Sequence, residues 1–513
     1  MPGSDPDGPN RTTRRRFLEI SAAALTGVAA SSTPASGLPA QSPAPPVPVR
    51  AADLPSLTIA EAARRISNRQ LSPVELTRAV LERIERLNPV VGAFITVTAD
   101  QALEAARAAE QEIQRGRYRG PLHGIPVGVK DTHYTRGILT TAASPVLADF
   151  IPDHDAAVVE RMKAAGAILV GKLNLPEFSF GGYTPGCNNP WDLTRNAGGS
   201  SGGSGAALAA SMLLGATGGD TSGSIRNPAS TCGVVGFKPT FGIVSRYGVV
   251  PISWTLDHLG PMARTVEDTA IVLKVIAGHD PRDRFSVSAP VPDYVGLLQQ
   301  RMRGMRLGVI PAADIEQFHP DTRRAFAAAV QVLKGLGAEI RDVSFPARMK
   351  VAGAAQGIIR ISEAAAYHRQ FLVTDASARY ISDIGRSGPD VSRVRTTVEA
   401  GSLLTASQYL QAQRARAIFI DDMTAAYHPL DAVLSPTMPS PAGVAVDVPE
   451  TFRSWWNLSG FPAISVPCGF STDPPDLPIG LQVSGPPFSD AVVLAIAHAY
   501  EQATGWHHRR PAL

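Results

Sequence analysis

From Gly124 onward, short β-type apolar runs alternate with helical runs, and this alternation limits the fold more than any other feature. "GIPVGVKD" (124–131) reads as a short apolar strand ending in a Lys-Asp pair. "DAAVVERMKAAG" reads as a helix and "AILVGKLN" as a strand. "SGAALAASMLLGA" (204–216) is a small-residue helix that can pack closely. "CGVVGFKPT" and "RLGVIP" are further strands, and "HPDTRRAFAAAVQVLKGLGAEIRDV" is a helix feeding a strand. "DAVLSPT" and "PAISVPCGF" are late strands. Such alternation predicts an α/β protein with a large mixed central β-sheet covered by helices on both faces. Three helices precede it, "TIAEAARRISNRQ", "SPVELTRAVLERIERLN" and "TADQALEAARAAEQEIQRG", the first two opening on Ser/Thr caps. A length of 513 residues suggests several domains. No internal repeat or second linker follows residue 53, so one domain over 53–513 is expected.

The first fifty residues are of another kind. "TRRRFLEISAAALTGVAA" sets Arg14 and Arg15 ahead of Phe17, Leu18 and an Ala-rich run. A charged start before a short apolar middle is the layout of an export signal with a twin-arginine header, assigned to residues 1–40. The alternative is a basic disordered arm. A Pro-rich linker follows over 41–52, with cleavage after Ala40 one option. A periplasmic or extracellular destination is therefore expected. No apolar run reaches the ~20 residues a membrane span needs, so no stable membrane insertion is expected. A net charge of +3 without a basic stripe argues against nucleic acid as a partner. Cys187, Cys232 and Cys468 are odd in number and scattered, which suits buried thiols rather than a disulfide framework or a metal site.

Two tempting motifs fail on context. "GAILVGK" (166–172) has phosphate-loop glycine spacing, but Leu173 stands where a Mg-binding hydroxyl is needed. "GGSSG" (198–202) satisfies G-x-S-x-G, yet polar loop precedes it where a strand is required. Lys130, Ser200 and Ser224 form a better constellation. A serine hydroxyl needs an adjacent base to become a nucleophile. A lysine desolvated at the end of an apolar strand can be that base once its proton is lost. The second serine can pass the proton. In "GGDTSGSIRNPAS" (218–230), Thr221, Ser222, Gly223 and Ser224 offer a row of backbone N–H groups suited to an oxyanion hole. Both glycine–serine loops can equally be plain turns.

"GVKD", "GGSSGGSGAALAA", "SGSIRNPAS", "CGVVGFKPTFGIVS", "LDHLGPMARTVEDTA", "NLSGFPAISVPCGF" and "LPIGLQVSGP" together resemble the amidase signature family over roughly residues 57–505. The resemblance implies a Ser–cis-Ser–Lys triad on a mixed sheet wrapped by helices. Lys130 is then the base, Ser200 the bridging residue after a cis peptide, and Ser224 the acylated nucleophile. Neither cofactor nor metal is implied, and the partner is a small amide substrate. One departure stands out: Ser222 replaces a glycine usual in the family, and Gly219 replaces a threonine. Asp220 and Arg226 are expected to hold the loop by hydrogen bonds and an ion pair. Phe178, Tyr183, Trp254 and Trp455 lie where the family pattern places the acyl pocket and would favour apolar or aromatic acyl groups; plain core packing is the equal alternative for each. The same triad admits carbamate and ester hydrolysis. The other readings are a binding protein on an inactive scaffold and a tRNA-dependent amidotransferase component. The assembly state, a homodimer included, is open.

Overall fold

The leading helices form where the sequence supplies their ends. In α1 (Ile59–Ser67), the Thr58 side chain accepts from the Glu61 N–H while Glu61 reaches back to the Thr58 N–H. This reciprocal cap satisfies two donors that a helix start otherwise leaves without partners. In α2 (Pro73–Val91), Ser72 accepts from Val74 and Glu75, Pro73 occupies the first turn, and Gly92 ends the helix at φ +65°. With α3 (Ala99–Gln114), these helices bury Ile59, Ile66, Leu76, Val80 and Ile84. The structure is a computed structural model and describes residues 50–381, 393–446 and 451–513. The expected export signal, and all of the linker before Arg50, lie outside the described residues.

The strands are β1 (Phe94–Val97), β2 (Pro126–Lys130), β3 (Ile168–Leu173), β4 (Asn188–Asn189), β5 (Asp192–Asn196), β6 (Gly215–Asp220), β7 (Val235–Lys238), β8 (His258–Ala263), β9 (Arg306–Val309), β10 (Glu339–Asp342), β11 (Ala432–Pro436), β12 (Ala463–Thr472) and β13 (Pro475–Ser484). Eleven of them make one sheet in the order β1-β3-β2-β6-β8-β7-β12-β13-β11-β9-β10, with β4 and β5 paired apart. β2 runs parallel to β3 and β6, and β9 parallel to β10 and β11. The other pairings are antiparallel, so the sheet is mixed as expected. Every residue of β2, β7, β8 and β11 is buried, the pattern of strands covered on both faces.

The covering and connecting helices are α4 (Ala157–Ala164), α5 (Gly202–Ala209), α6 (Arg226–Cys232), α7 (Val266–Ile276), α8 (Pro320–Gly335), α9 (Ala352–Leu372), α10 (Arg393–Ser402), α11 (Ala406–Tyr427), α12 (Thr451–Ser459) and α13 (Asp490–Thr504). The helix expected over 204–216 is shorter: α5 stops at Ala209. Ser211 turns left-handed at φ +53°, and the N–H groups of Ser211 and Met212 close back on Leu208 and Ala207 at 3.1 and 2.7 Å. This is a Schellman ending with serine in the place glycine usually takes. Met212–Leu214 then lead into β6 and are buried. Cys187, Cys232 and Cys468 are buried free thiols, and burial pushes all three up, Cys232 to about 12. No helix among the described residues is long and apolar enough to cross a membrane.

Candidate active site

Lys130 is the last residue of β2 and is 1% exposed. Its Nζ lies 2.6 Å from Ser200 Oγ. Burial drives the ammonium down to about 7, against the pull of the Asp257 and Asp220 carboxylates, which favour the charged form. At neutral pH a large share of Lys130 is therefore the free amine, able to accept a proton from the Ser200 hydroxyl.

Ser200 follows a cis peptide from Gly199. Residue 199 has no room for a side chain: a Cβ there would stand 2.9 Å from the Tyr183 backbone nitrogen. The serines beyond it act as clips. Ser201 Oγ donates to the Gly219 carbonyl at 3.3 Å and accepts from the Gly219 N–H at 3.2 Å. Ser204 Oγ donates to the Thr217 carbonyl at 2.9 Å. The Ser201 N–H donates to the Ser224 carbonyl at 3.1 Å. Small hydroxyls and glycines thus seat the start of α5 against β6 and hold the loops carrying Ser200 and Ser224 side by side.

Ser224 sits between β6 and α6, half-buried. It lines a cavity of about 330 Å³ with Gly199, Ser222, Gln356 and Arg360. Lys130 and Ser200 line a second, of about 320 Å³, with Tyr247, Trp254 and Asp257. Ser179, Thr221 and Ile252 wall both, so the two adjoin.

The loop before Ser224 is held by a buried ion pair. Arg226 Nε and an Nη donate to the Asp220 carboxylate at 3.0 and 3.1 Å, and Asn457 Nδ2 donates to it at 2.8 Å. Arg226 also donates to Gln482 and Asn457, both at 2.7 Å. Burial alone would raise the Asp220 carboxyl; Arg226 overrides it and holds the group well below the usual carboxylate range. Removing either partner strands a buried charge, at a cost of about 3–5 kcal/mol.

The same carboxylate corrects the expected oxyanion row. The Gly223 N–H donates to Asp220 Oδ1 at 2.6 Å, so it is committed to the loop. Thr221, Ser222 and Ser224 are left as the candidate donors. Gly223 has φ +109°, a conformation that demands glycine. Ser222 is not left-handed, so its Cβ is carried without that strain. Its hydroxyl accepts from Gln356 Nε2 at 2.5 Å, and the same amide reaches the Thr221 carbonyl at 3.3 Å.

The expected acyl-pocket aromatics divide. Trp254 is 43% exposed and lines the Lys130 cavity. Tyr183 is exposed, and its main chain presses on Gly199. Phe178 is 1% exposed and packs edge-on against His368, centroids 4.5 Å apart, in a small apolar cluster with Tyr380. Trp455 is buried edge-on against Phe345 and Phe419, while its neighbour Ser454 lines the Ser224 cavity. Phe178 and Trp455 therefore take the core-packing alternative rather than the acyl-pocket one.

Several residues that shape the site carried no sequence signal. Asp257 accepts from Thr221 Oγ1 at 2.6 Å and from the Ile252 and Ser253 N–H groups at 2.9 and 3.0 Å. Glu363 accepts from Ser253 Oγ, from the Thr255 N–H and hydroxyl, and from Tyr409 OH at 2.5–3.0 Å. The 252–257 loop is thereby fixed to α9 and α11. Among the described residues, no group of three His, Cys, Asp or Glu side chains could hold a metal ion.

A buried amine within hydrogen-bond reach of a serine, beside a second serine on a glycine loop, is an arrangement for acyl transfer. Comparison with known proteins agrees. A glutamyl-tRNA(Gln) amidotransferase component from Desulfatibacillum aliphaticivorans is 41% identical over 488 residues, covering 90% of this chain and all of that one. The native peptide amidase of Stenotrophomonas maltophilia superposes with a TM-score of 0.77 at 32% identity, covering 88% of this chain and 98% of the other. A bacterial aryl acylamidase of the amidase signature family gives 0.78 at 25% identity, covering 88% and 97%. The Amidase family model matches residues 75–494. With its mixed eleven-stranded sheet and this match over most of its length, the chain belongs to the amidase family, a family of amide-bond hydrolases.

Proposed function

We propose that this chain hydrolyses small amides through Lys130, Ser200 and Ser224, and that it does so outside the cytoplasm after twin-arginine export. The observation that carries the chemistry is the 2.6 Å approach of a near-neutral, buried Lys130 amine to Ser200 Oγ. The free amine takes the Ser200 proton as Ser200 takes that of Ser224. Ser224 Oγ bonds to the amide carbonyl carbon, and its electron pair moves onto oxygen. Backbone N–H groups of Thr221, Ser222 and Ser224 face that charge; one such donor is worth roughly 3–4 kcal/mol. The proton returns through Ser200 to the nitrogen, the C–N bond breaks, and the amine departs. Water, activated by the same relay, then cleaves the acyl-serine to a carboxylate. Ser224→Ala should lower kcat by roughly 10⁴-fold or more and remove covalent labelling by a serine-directed probe. Retained labelling at full rate would refute Ser224 as nucleophile. Parallel anilide, ester and carbamate substrates decide which bond is preferred.

A second reading is supported by the 41% identity to the amidotransferase component: transfer of an amide to glutamyl-tRNA(Gln), in company with further protein chains. The Arg14–Arg15 header with its apolar run supports the exported hydrolase instead. Export of a reporter fused to residues 1–50, and the absence of amide transfer to added glutamyl-tRNA(Gln), are the outcomes expected of the hydrolase.

A further inference from the structure

We propose that the acyl portion of the substrate carries a primary carboxamide, read by Ser222 and Gln356 in the half of the cleft that Ser224 lines. This rests on the hydrolase reading above and names the substrate class for it. Gln356 reaches the nucleophile loop from α9, where Gly353, Gln356 and Gly357 stand at helical spacing along that cavity. Its Nε2 donates to Ser222 Oγ at 2.5 Å and to the Thr221 carbonyl at 3.3 Å. A carbonyl only accepts, so the carboxamide nitrogen is the atom against the loop and the oxygen is turned away from it. That oxygen takes no hydrogen bond among the described residues. Gln356 is 6% exposed, yet its oxygen is not among the sealed polar atoms that lack a partner, and the space it meets is the cavity.

Ser222 supplies the other half. Its Oγ spends a lone pair on Gln356, so its own proton points elsewhere, and no described group accepts that proton. The residue is half-buried and lines the same cavity. Nε2 and Oε1 of Gln356 hang on one carbon, so the free oxygen lies beside the Ser222 hydroxyl. The cleft thus presents a donor and an acceptor side by side, two residues from the serine that takes the acyl group. A Cβ on Gly357 would meet nothing within 4 Å, so the face of α9 is open beside them. Once a substrate drives water from the cleft, each of the two groups needs a partner on that substrate.

A primary carboxamide is the complement, because one of its edges carries a carbonyl oxygen and an N–H together. Ser222 donates to that oxygen, and that N–H donates to Gln356 Oε1. A secondary amide fails, since its trans geometry sets N–H and C=O on opposite sides. A carboxylate or a methyl ketone has no N–H to give. The relay decides which end of the substrate enters which half. Ser200 returns the proton to the leaving nitrogen and opens on the Lys130 cavity, so the amine departs there. The acyl chain then occupies the other half, where a half-amide of a short dicarboxylic acid fits about 330 Å³.

The test compares 4-nitroanilides whose acyl chains differ only at the far end. Succinamoyl, N-methylsuccinamoyl, succinyl and 4-oxopentanoyl end in a primary carboxamide, a secondary amide, a carboxylate and a methyl ketone. The same set is made one methylene shorter and one longer, and the best length counts. The primary carboxamide should lead the wild-type ranking by kcat/KM, roughly 10- to 100-fold above the ketone. Gln356→Met and Ser222→Gly should each shrink that ratio by roughly tenfold, whatever they do to the absolute rates. The wild-type ranking decides even where a variant does not fold. A ranking led by any of the other three ends, or a ratio unmoved in both variants, overturns the proposal while leaving the hydrolase standing. If no anilide is cleaved, the hydrolase reading fails, and calorimetric binding of the same probes to Ser224→Ala still decides the subsite. Tighter binding of the carboxamide than of the ketone, lost in Ser224→Ala/Gln356→Met, supports it, and equal binding overturns it.

Discussion

Lys130 and Lys172 stand on adjacent parallel strands, one register position apart, since Lys130 pairs with Leu173 and Lys172 with Val129. Alternation along a strand sends them to opposite faces of the sheet. Both are sealed from solvent. Lys130 meets one hydroxyl, Ser200 Oγ, and burial takes it to about 7. Lys172 meets the Asp131 carboxylate at 3.1 Å, Thr140 Oγ1 at 2.6 Å and the His133 carbonyl at 2.9 Å. Burial pushes Lys172 down too, with Asp131 opposing it. Burial alone thus does not make a lysine a base. The partner decides: a carboxylate in contact keeps the charge, whereas a hydroxyl lets the proton go and can return it.

The contrast can be broken first at Lys130, the proposed base. Lys130→Met should cost roughly 10³- to 10⁴-fold in kcat while its thermal midpoint stays close to that of the wild type, because no carboxylate contacts the amine that is lost. A collapse of the fold would place Lys130 with Lys172 as a structural ion. Lys172→Met should do the reverse. It strands Asp131 and should lower unfolding free energy by about 3–5 kcal/mol in a denaturant titration, with Lys172→Met/Asp131→Asn recovering much of the loss. Full stability with dead enzyme would reverse the two roles. The pH profile sharpens the comparison further. In the proposed mechanism Lys130 works as the neutral amine, so kcat/KM should fall about tenfold per unit below about pH 7 and level off above it. An amine still charged in the working enzyme would instead give no fall across that range. The smallest effect is expected at Gln356→Ala, which removes the bond to Ser222 Oγ and should cost about 1 kcal/mol of stability.

Much of this was legible because it is local. An apolar run ending in Lys-Asp gives β2 and its terminal amine, and paired glycine–serine stretches mark the two loops. Caps such as Thr58 with Glu61 announce α1. What was not legible depends on contacts between distant residues or on side-chain choice. Asp220 and Asn457 are 237 positions apart, and Ser222 and Gln356 are 134 apart. The end of α5 is hidden because Ser211 does there what glycine usually does. Phe178 and Ser179 are both left-handed, at φ +48° and +65°. That reversal turns the aromatic ring into the small cluster and leaves Ser179 on the cleft wall. The Gly223 N–H is withdrawn from the oxyanion row by one rotamer of Asp220.

The three sealed thiols have a practical consequence. With no sulfur bridging any two parts of the described fold, maturation needs no oxidant, and the same native state should arise in reducing and oxidising media alike. Maleimide or iodoacetamide added to the native enzyme should find no ready thiolate, so inactivation by such alkylating agents measures how often the core opens rather than anything about the reaction it performs.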